Sequence, residues 1–247
     1  MKIDFTNQKV LITGGSGNLG NEIINQLLRN NAIVYATSTN KQFVEKFNNK
    51  NKNKNIYYYE LDFKKQNTVK KFIDKIKKIK DIDILINNAG INKIDSINDI
   101  KIKDWIDIQN INLTGPFLIM NTISKIMIKN KKGNILNISS IFGTVGKEKR
   151  SSYSSSKWGL VGLTKSSSLD LAKHNIIVNA LSPGVIDSKL TRKVLGGHGI
   201  KKIKKQIPLG RLSSLNEISN VVLFLISKNN TYLTGQNIIV DGGYTSG

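Results

Sequence analysis

A short apolar stretch, Val10–Ile12, runs straight into Thr13-Gly14-Gly15-Ser16-Gly17-Asn18-Leu19-Gly20, and an amphipathic segment begins at once. No other feature constrains the fold as strongly. Glycines let the chain turn sharply at a strand end and let backbone approach a ligand closely. A helix that starts there offers unpaired N–H groups and a positive dipole end, which suits a pyrophosphate. Gly15, Gly17 and Gly20 fit G-x-G-x-x-G, a pattern that carries weight only between a strand and a helix.

The rest of the chain repeats this alternation. Strands are expected at Val10–Ile12, Ile33–Thr37, Ile56–Leu61, Ile82–Ile86, Asn134–Ile138, Ile176–Ala180 and Asn237–Val240. Helical spacing of apolar residues predicts helices over Leu19–Arg29, Phe43–Phe47, Val69–Ile79, Leu113–Ile128, Tyr153–Ala172 and Glu217–Ile226. The Asn/Lys-rich run Asn48–Asn55 reads as a loop. Such alternation predicts an α/β fold: a single-domain, Rossmann-type, doubly wound parallel sheet of seven strands with helices on both faces, spanning residues 1–247. Ligands are then expected in the crevice at the carboxyl ends of the strands. The stretch Asp187–Leu212, with Gly196, Gly197 and Gly199, is read as an irregular mobile lid over substrate.

Composition removes several chemistries. The 247 residues include no cysteine and two histidines, His174 and His198. Disulfides, thiolate metal sites and cysteine nucleophiles are excluded, and no metal is expected. The N-terminal MKIDFTNQKVLITGG has no apolar targeting core, and the apolar runs are short, so a cytoplasmic protein without a membrane span is expected. The formal charge of +21 is large. Its lysines are dispersed among many Asn and Ile residues rather than gathered in a stripe, which favours biased composition over an acidic partner, either nucleic acid or an acidic carrier protein.

The acidic residue that commonly holds the ribose of NAD falls about 20 residues beyond the glycine loop. Here the end of the second strand reads Thr37-Ser38-Thr39-Asn40-Lys41. Without a carboxylate to repel a 2′-phosphate, and with hydroxyls and Lys41 to accept one, NADP(H) is expected over NAD(H).

Taken together, TGGSGNLG at 13–20, NNAG at 87–90, Asn112, the serine pair Ser139 and Ser140, Tyr153-x-x-x-Lys157, SPG at 182–184 and the closing LTGQNIIVDGG resemble the short-chain dehydrogenase/reductase family. They follow its order and spacing over nearly the whole chain. The resemblance implies an oxidoreductase acting on CH–OH and C=O groups. It makes Tyr153 the acid/base, and Lys157 the group that lowers the phenol's pKa and binds the nicotinamide ribose. A free phenol, near pKa 10, exchanges protons poorly at neutral pH, and a nearby ammonium favours its ionised form. Ser140 would hold the substrate oxygen, and Asn112 would support a water-linked proton relay to Lys157. Gly14, Gly15, Ser16, Gly17, Asn18, Leu19 and Gly20 would cradle the pyrophosphate, with Thr37, Ser38 and Thr39 beside the adenosine. Asp62 and Phe63 would meet the adenine, Asn88, Ala89 and Gly90 would line the cofactor, and Pro183, Gly184, Ile186 and Ser188 would border the nicotinamide.

One departure is visible: Asn18 stands where the branch of about 250 residues usually has glycine. Asn tolerates left-handed backbone better than most residues, so the turn is expected to survive. Within the family the pattern is most similar to 3-oxoacyl-(acyl-carrier-protein) reductases, which implies an acidic carrier partner and gives Lys129, Lys131, Lys132 and Lys173 a docking role. A sugar, polyol or sugar-nucleotide-pathway dehydrogenase is the alternative, and a catalytically inactive cofactor-binding regulator is the alternative from another class. The family also implies a homotetramer through the helices near 113–128 and 153–172.

Overall fold

The computed structural model describes residues 3–51 and 55–247. Seven strands form one sheet: β1 (Lys9–Ile12), β2 (Ile33–Ser38), β3 (Ile56–Glu60), β4 (Ile84–Asn87), β5 (Gly133–Ile138), β6 (Ile176–Pro183) and β7 (Asn237–Val240). All pair in parallel in the order β3-β2-β1-β4-β5-β6-β7. The chain winds outward from β1 to β3, then returns to place β4 on the other side of β1. That reversal opens a crevice above the carboxyl ends of β1 and β4.

Among the described residues eight α-helices connect the strands: α1 (Asn18–Arg29), α2 (Lys41–Lys50), α3 (Gln66–Ile76), α4 (Ile102–Gln109), α5 (Gly115–Asn130), α6 (Ser151–Ala172), α7 (Lys189–Lys204) and α8 (Leu215–Ile226). The near-continuous apolar composition of the strands follows from burial on both faces. In β1, Val10 and Ile12 join the core beneath α1 and α8, whereas Leu11 between them joins the core beneath α3, α5 and α6. Alternate side chains of a strand point to opposite faces, so one four-residue strand serves both layers.

Three elements differ from the sequence expectation. Residues 48–50 extend α2 rather than opening a loop, because Asn48 turns inward and bonds both backbone groups of Tyr58 in β3; part of the expected loop lies outside the described residues. Residues 189–204 are the helix α7, broken at Gly196, rather than irregular chain. The helix α4 was not expected, and it joins α5 through a π-helical turn, Asn110–Thr114. Pro116 has no N–H to give to the Asn112 carbonyl four residues back, so regular α-helical pairing fails there and the backbone widens. Counted together, Ile102–Asn130 is long and apolar enough to cross a membrane by length and composition alone. Ile119, Met120, Ile123 and Met127 on its inner face are fully committed to the core.

Candidate active site

The crevice encloses ≈ 1070 Å³. Of the catalytic and cofactor residues that the family resemblance implies, it gathers all except Gly15 and Asn112. Gly15 instead lies underneath. Its N–H donates to the Thr37 carbonyl at 2.9 Å, and its carbonyl accepts from the Tyr58 hydroxyl at 3.2 Å. Burial pushes the Tyr58 phenol up to about 12, so it remains a donor across the physiological range.

The glycine loop is fixed to its neighbours by polar contacts. Gly14 has φ +66°, and a Cβ there would stand 2.9 Å from the Ala89 Cα, so only glycine fits. Its N–H donates to the Thr37 hydroxyl at 3.1 Å. The buried Thr13 hydroxyl accepts the N–H groups of both Asn88 and Ala89, each at 3.0 Å. The Asn88 amide in turn donates to the carbonyls of Thr13 and Gly14 at 3.0 and 3.1 Å. Thr13 is thus the hinge pin between the loop and the end of β4, a role its place in the motif did not announce. Asn18 lies within α1 and needs no left-handed backbone. Gly17 is extended, at φ −75°, and the positive φ falls on Gly14 instead, so the sequence departure at Asn18 has no conformational cost.

At the end of β2 the Ser16 hydroxyl donates to the Ser38 hydroxyl at 2.9 Å, with Thr39 beside them. Asp62 and Glu148 are the carboxylates on the lining among the described residues. The Asp62 carboxylate is engaged below β3 by the Lys64 N–H at 3.0 Å and by Lys65 at 3.8 Å. Lys41, expected at this end, does not reach the crevice and pairs with Glu45 at 3.7 Å. Lys64 lines it instead.

Lys157 and Tyr153 come together on α6, four residues apart on one helical face. The Lys157 Nζ donates to the Ile138 carbonyl at 2.8 Å and stands 5.7 Å from the Tyr153 ring centre. Burial lowers the Lys157 ammonium to about 8, so it is still a cation at neutral pH. Burial also raises Tyr153, partly opposed by a hydrogen bond with Ser140 and by the charge of Arg150. The lysine was expected to lower the phenol. Here desolvation outweighs any such effect, and the opposing cation is Arg150, a residue that no sequence motif marked. Ser140 also caps the short 3-10 turn Ile141–Gly143, accepting the Phe142 N–H at 3.2 Å.

Asn112 is fully buried beside the crevice rather than on it. Its oxygen accepts from the Ile91 N–H at 2.9 Å, and its amide donates to the Ile91 carbonyl at 2.9 Å and to Ser156 at 3.0 Å. No hydrogen bond joins it to Lys157, but both flank Gly90: a Cβ there would lie 3.5 Å from each. Asn112 therefore clamps the chain after β4 against α6.

Beyond Pro183, Gly184 and Ile186, Ser188 caps α7 by accepting the Thr191 N–H at 3.1 Å. No residue of α7 is buried, and Leu190, Val194, Leu195 and Ile203 present apolar side chains to the crevice opposite Ile91, Ile94 and Phe142. The sequence pointed to this stretch as a cover over substrate but not to these side chains, because exposed apolar residues on a helix look alike wherever they face. Lys129, Lys131, Lys132 and Lys173 are absent from the crevice lining. They sit at the ends of α5 and α6 that lead into the amino ends of β5 and β6, a strand's length from the crevice, and Lys132 is paired with Asp83 at 2.8 Å.

The family model described as enoyl-(acyl carrier protein) reductase matches residues 16–245. A 3-oxoacyl-(acyl-carrier-protein) reductase from Aquifex aeolicus is 38% identical over 248 residues, covering 98% of this chain and 99% of that protein. Among solved structures, one described as ElxO with NADP bound has a TM-score of 0.89 and 31% identity, covering 97% of this chain and 99% of that one. A gluconate 5-dehydrogenase from Burkholderia cenocepacia, in complex with NADP and tartrate, has a TM-score of 0.90 and 26% identity, covering 99% of this chain and 97% of that one.

Proposed function

The chain belongs to the short-chain dehydrogenase/reductase family, and on that premise we propose that it reduces 3-oxoacyl thioesters with NADPH, using Tyr153 as the acid. The observation that carries this reading is the convergence of Ser140, Tyr153 and Lys157 at one end of a crevice whose other end is a glycine loop at a helix N-terminus. The whole chain 1–247 serves as one unit in this reading.

The residues present fit a dinucleotide phosphate. The close approach of Gly14 to Ala89 leaves backbone, not side chain, facing the crevice. The N–H groups of Ser16, Asn18, Leu19 and Gly20 lie around the start of α1, where an anion is favoured. Ser16, Ser38 and Thr39 supply hydroxyls for a 2′-phosphate, and the segment Thr37–Lys41 at the end of β2 carries no acidic residue to repel it, which favours NADP(H), as in the NADP-bound relative. When bound, the nicotinamide supplies the hydride that reaches the carbonyl carbon.

The protein's own groups manage the oxygen. Ser140 donates a hydrogen bond to it, a fixed dipole aimed where negative charge develops. Tyr153 delivers its proton to that oxygen as the C–O bond becomes single, and the phenolate left behind is stabilised by the Lys157 ammonium and by Arg150. Asn112 and Lys157, both against Gly90, support a relay that returns the proton from solvent. The apolar wall of Ile91, Ile94, Phe142 and Leu190 suits an acyl chain better than a polyol. An acidic acyl carrier protein would meet Lys147 and Lys149 at the mouth of the crevice rather than the lysines at the far end of the sheet. Phe117, Trp158 and Leu169, exposed on α5 and α6, support self-association, with the family resemblance supplying the homotetramer and the cytoplasmic setting of this reading.

The test is turnover of acetoacetyl thioesters, gluconate and simple polyols with NADPH and NADH. Thioester reduction with at least a tenfold preference for NADPH is expected. Faster oxidation of gluconate or a polyol than reduction of the thioester would overturn the reading.

A further inference from the structure

Arg150 is the least satisfied charged group at the site. Its Nη1 is buried and has no hydrogen-bond partner. Among the described residues no carboxylate pairs with it, although Glu148 lies nearby on the same lining. Leaving a guanidinium N–H dry and unpaired is costly, and such a group holds its place only where something else repays it. Arg150 lines the crevice together with Tyr153, and it stands at the N-cap of α6, the residue from which that helix starts. Its charge is felt at the Tyr153 phenol. A planar guanidinium with fixed donors suits an acyl or carboxylate oxygen, and it binds it with direction.

We propose that Arg150 is a specificity-determining residue that binds a second substrate oxygen, one carried by the carbon two positions from the reacting carbonyl. With Ser140 and Tyr153 on the reacting oxygen, Arg150 reads the other oxygen of a 1,3-dicarbonyl. That oxygen belongs to the thioester carbonyl of a 3-oxoacyl group or to the carboxylate of a free 3-oxo acid. The inference rests on the carbonyl-reduction reading of the site, and not on the carrier protein.

The experiment compares kcat/KM for an acetoacetyl thioester, free acetoacetate and 2-pentanone, which lacks the second oxygen, in wild type, Arg150→Met and Arg150→Gln. Wild type should prefer the two-oxygen ketones over 2-pentanone, and Arg150→Met should cut that preference roughly 10- to 100-fold, as loss of a charge-assisted hydrogen bond does. Arg150→Gln keeps a neutral donor. It should retain part of the preference for the thioester if the neutral acyl oxygen is the natural ligand, and lose the preference for acetoacetate in either case. The thermal midpoint of Arg150→Met should equal or exceed that of wild type, because an unpaired buried charge has been removed. Equal losses on all three ketones, no loss, or a lowered midpoint would overturn the proposal and leave the thioester reading standing. A wild type that reduces acetoacetate in preference to 2-pentanone, but not the thioester, would defeat the thioester reading and keep Arg150 in this role, provided Arg150→Met erases the preference. Reduction of none of the three would defeat both.

Discussion

At the β1–β4 end of the crevice the glycine loop is tied to its neighbours by hydrogen bonds, whereas α7 contributes exposed apolar side chains and the start of α6 an unpaired guanidinium. Thr13, Gly14, Thr37 and Asn88 bond one another through loop and strand ends. The α7 helix has no buried residue and is broken at Gly196, where φ is +60° and ψ −179°. The first end is preorganised by backbone and fits one constant ligand. The second is held by few contacts and can be re-shaped by changing side chains that support nothing else. Low local stability is also what a moving lid requires.

The largest effect that could break this contrast is expected at Gly14. Gly14→Val forces a branched residue into left-handed backbone and drives its Cβ into Ala89, so stability should fall by about 3 kcal/mol and NADPH affinity more than tenfold. Denaturant melts and cofactor titration measure both. A variant that binds NADPH normally would mean the loop is not rigid.

The next effect is on pH dependence. Lys157 titrates near 8 in the folded protein, below its unfolded value of 10.5. Between those values the unfolded chain binds the extra proton, so stability rises with pH, and the penalty is fully present below about pH 8. Protein prepared without cofactor should gain about 2 kcal/mol from this group between pH 7.5 and 9.5. Tyr153 is shifted upward and acts only above its unfolded value of 10.0, outside this window. Because the chain also carries a net +21 that declines with pH, the difference between wild type and Lys157→Met is the quantity to measure. A pH dependence that is the same in both would contradict the burial of a charged lysine.

The smallest effect is expected at the lid. Nothing lies within 4 Å of a Cβ at Gly196, so Gly196→Ala meets no clash, but its backbone conformation is open essentially only to glycine. A loss of about 1 kcal/mol is expected. The KM for substrate should change severalfold while NADPH affinity stays constant. A matching change in NADPH affinity would tie the two ends together and dissolve the contrast.

The same contrast explains what could be read from sequence. Parallel order, crevice and glycine loop were legible because backbone geometry dictates residue type: Gly14 must be glycine, β1 must be apolar on both faces, and Tyr153 and Lys157 are four apart on one helix. Thr13 was visible within its motif, but its two bonds to the β4 end depend on strands far apart in sequence. The π-helical turn had a local signal in Gly115-Pro116 that passed unread. Arg150 had none, since its meaning comes from what fails to surround it. The lysines expected at a carrier dock are the opposite case: in a chain this rich in lysine, type alone does not say which end of the sheet a residue occupies, and these lie away from the crevice.

The chemistry proposed for the crevice depends most directly on Tyr153. The pre-steady-state rate of NADPH oxidation on an acetoacetyl thioester should fall about 10³-fold in Tyr153→Phe, with NADPH affinity unchanged, because the ring still packs but cannot give up a proton. A Tyr153→Phe protein that oxidises NADPH at a rate near that of wild type would contradict it.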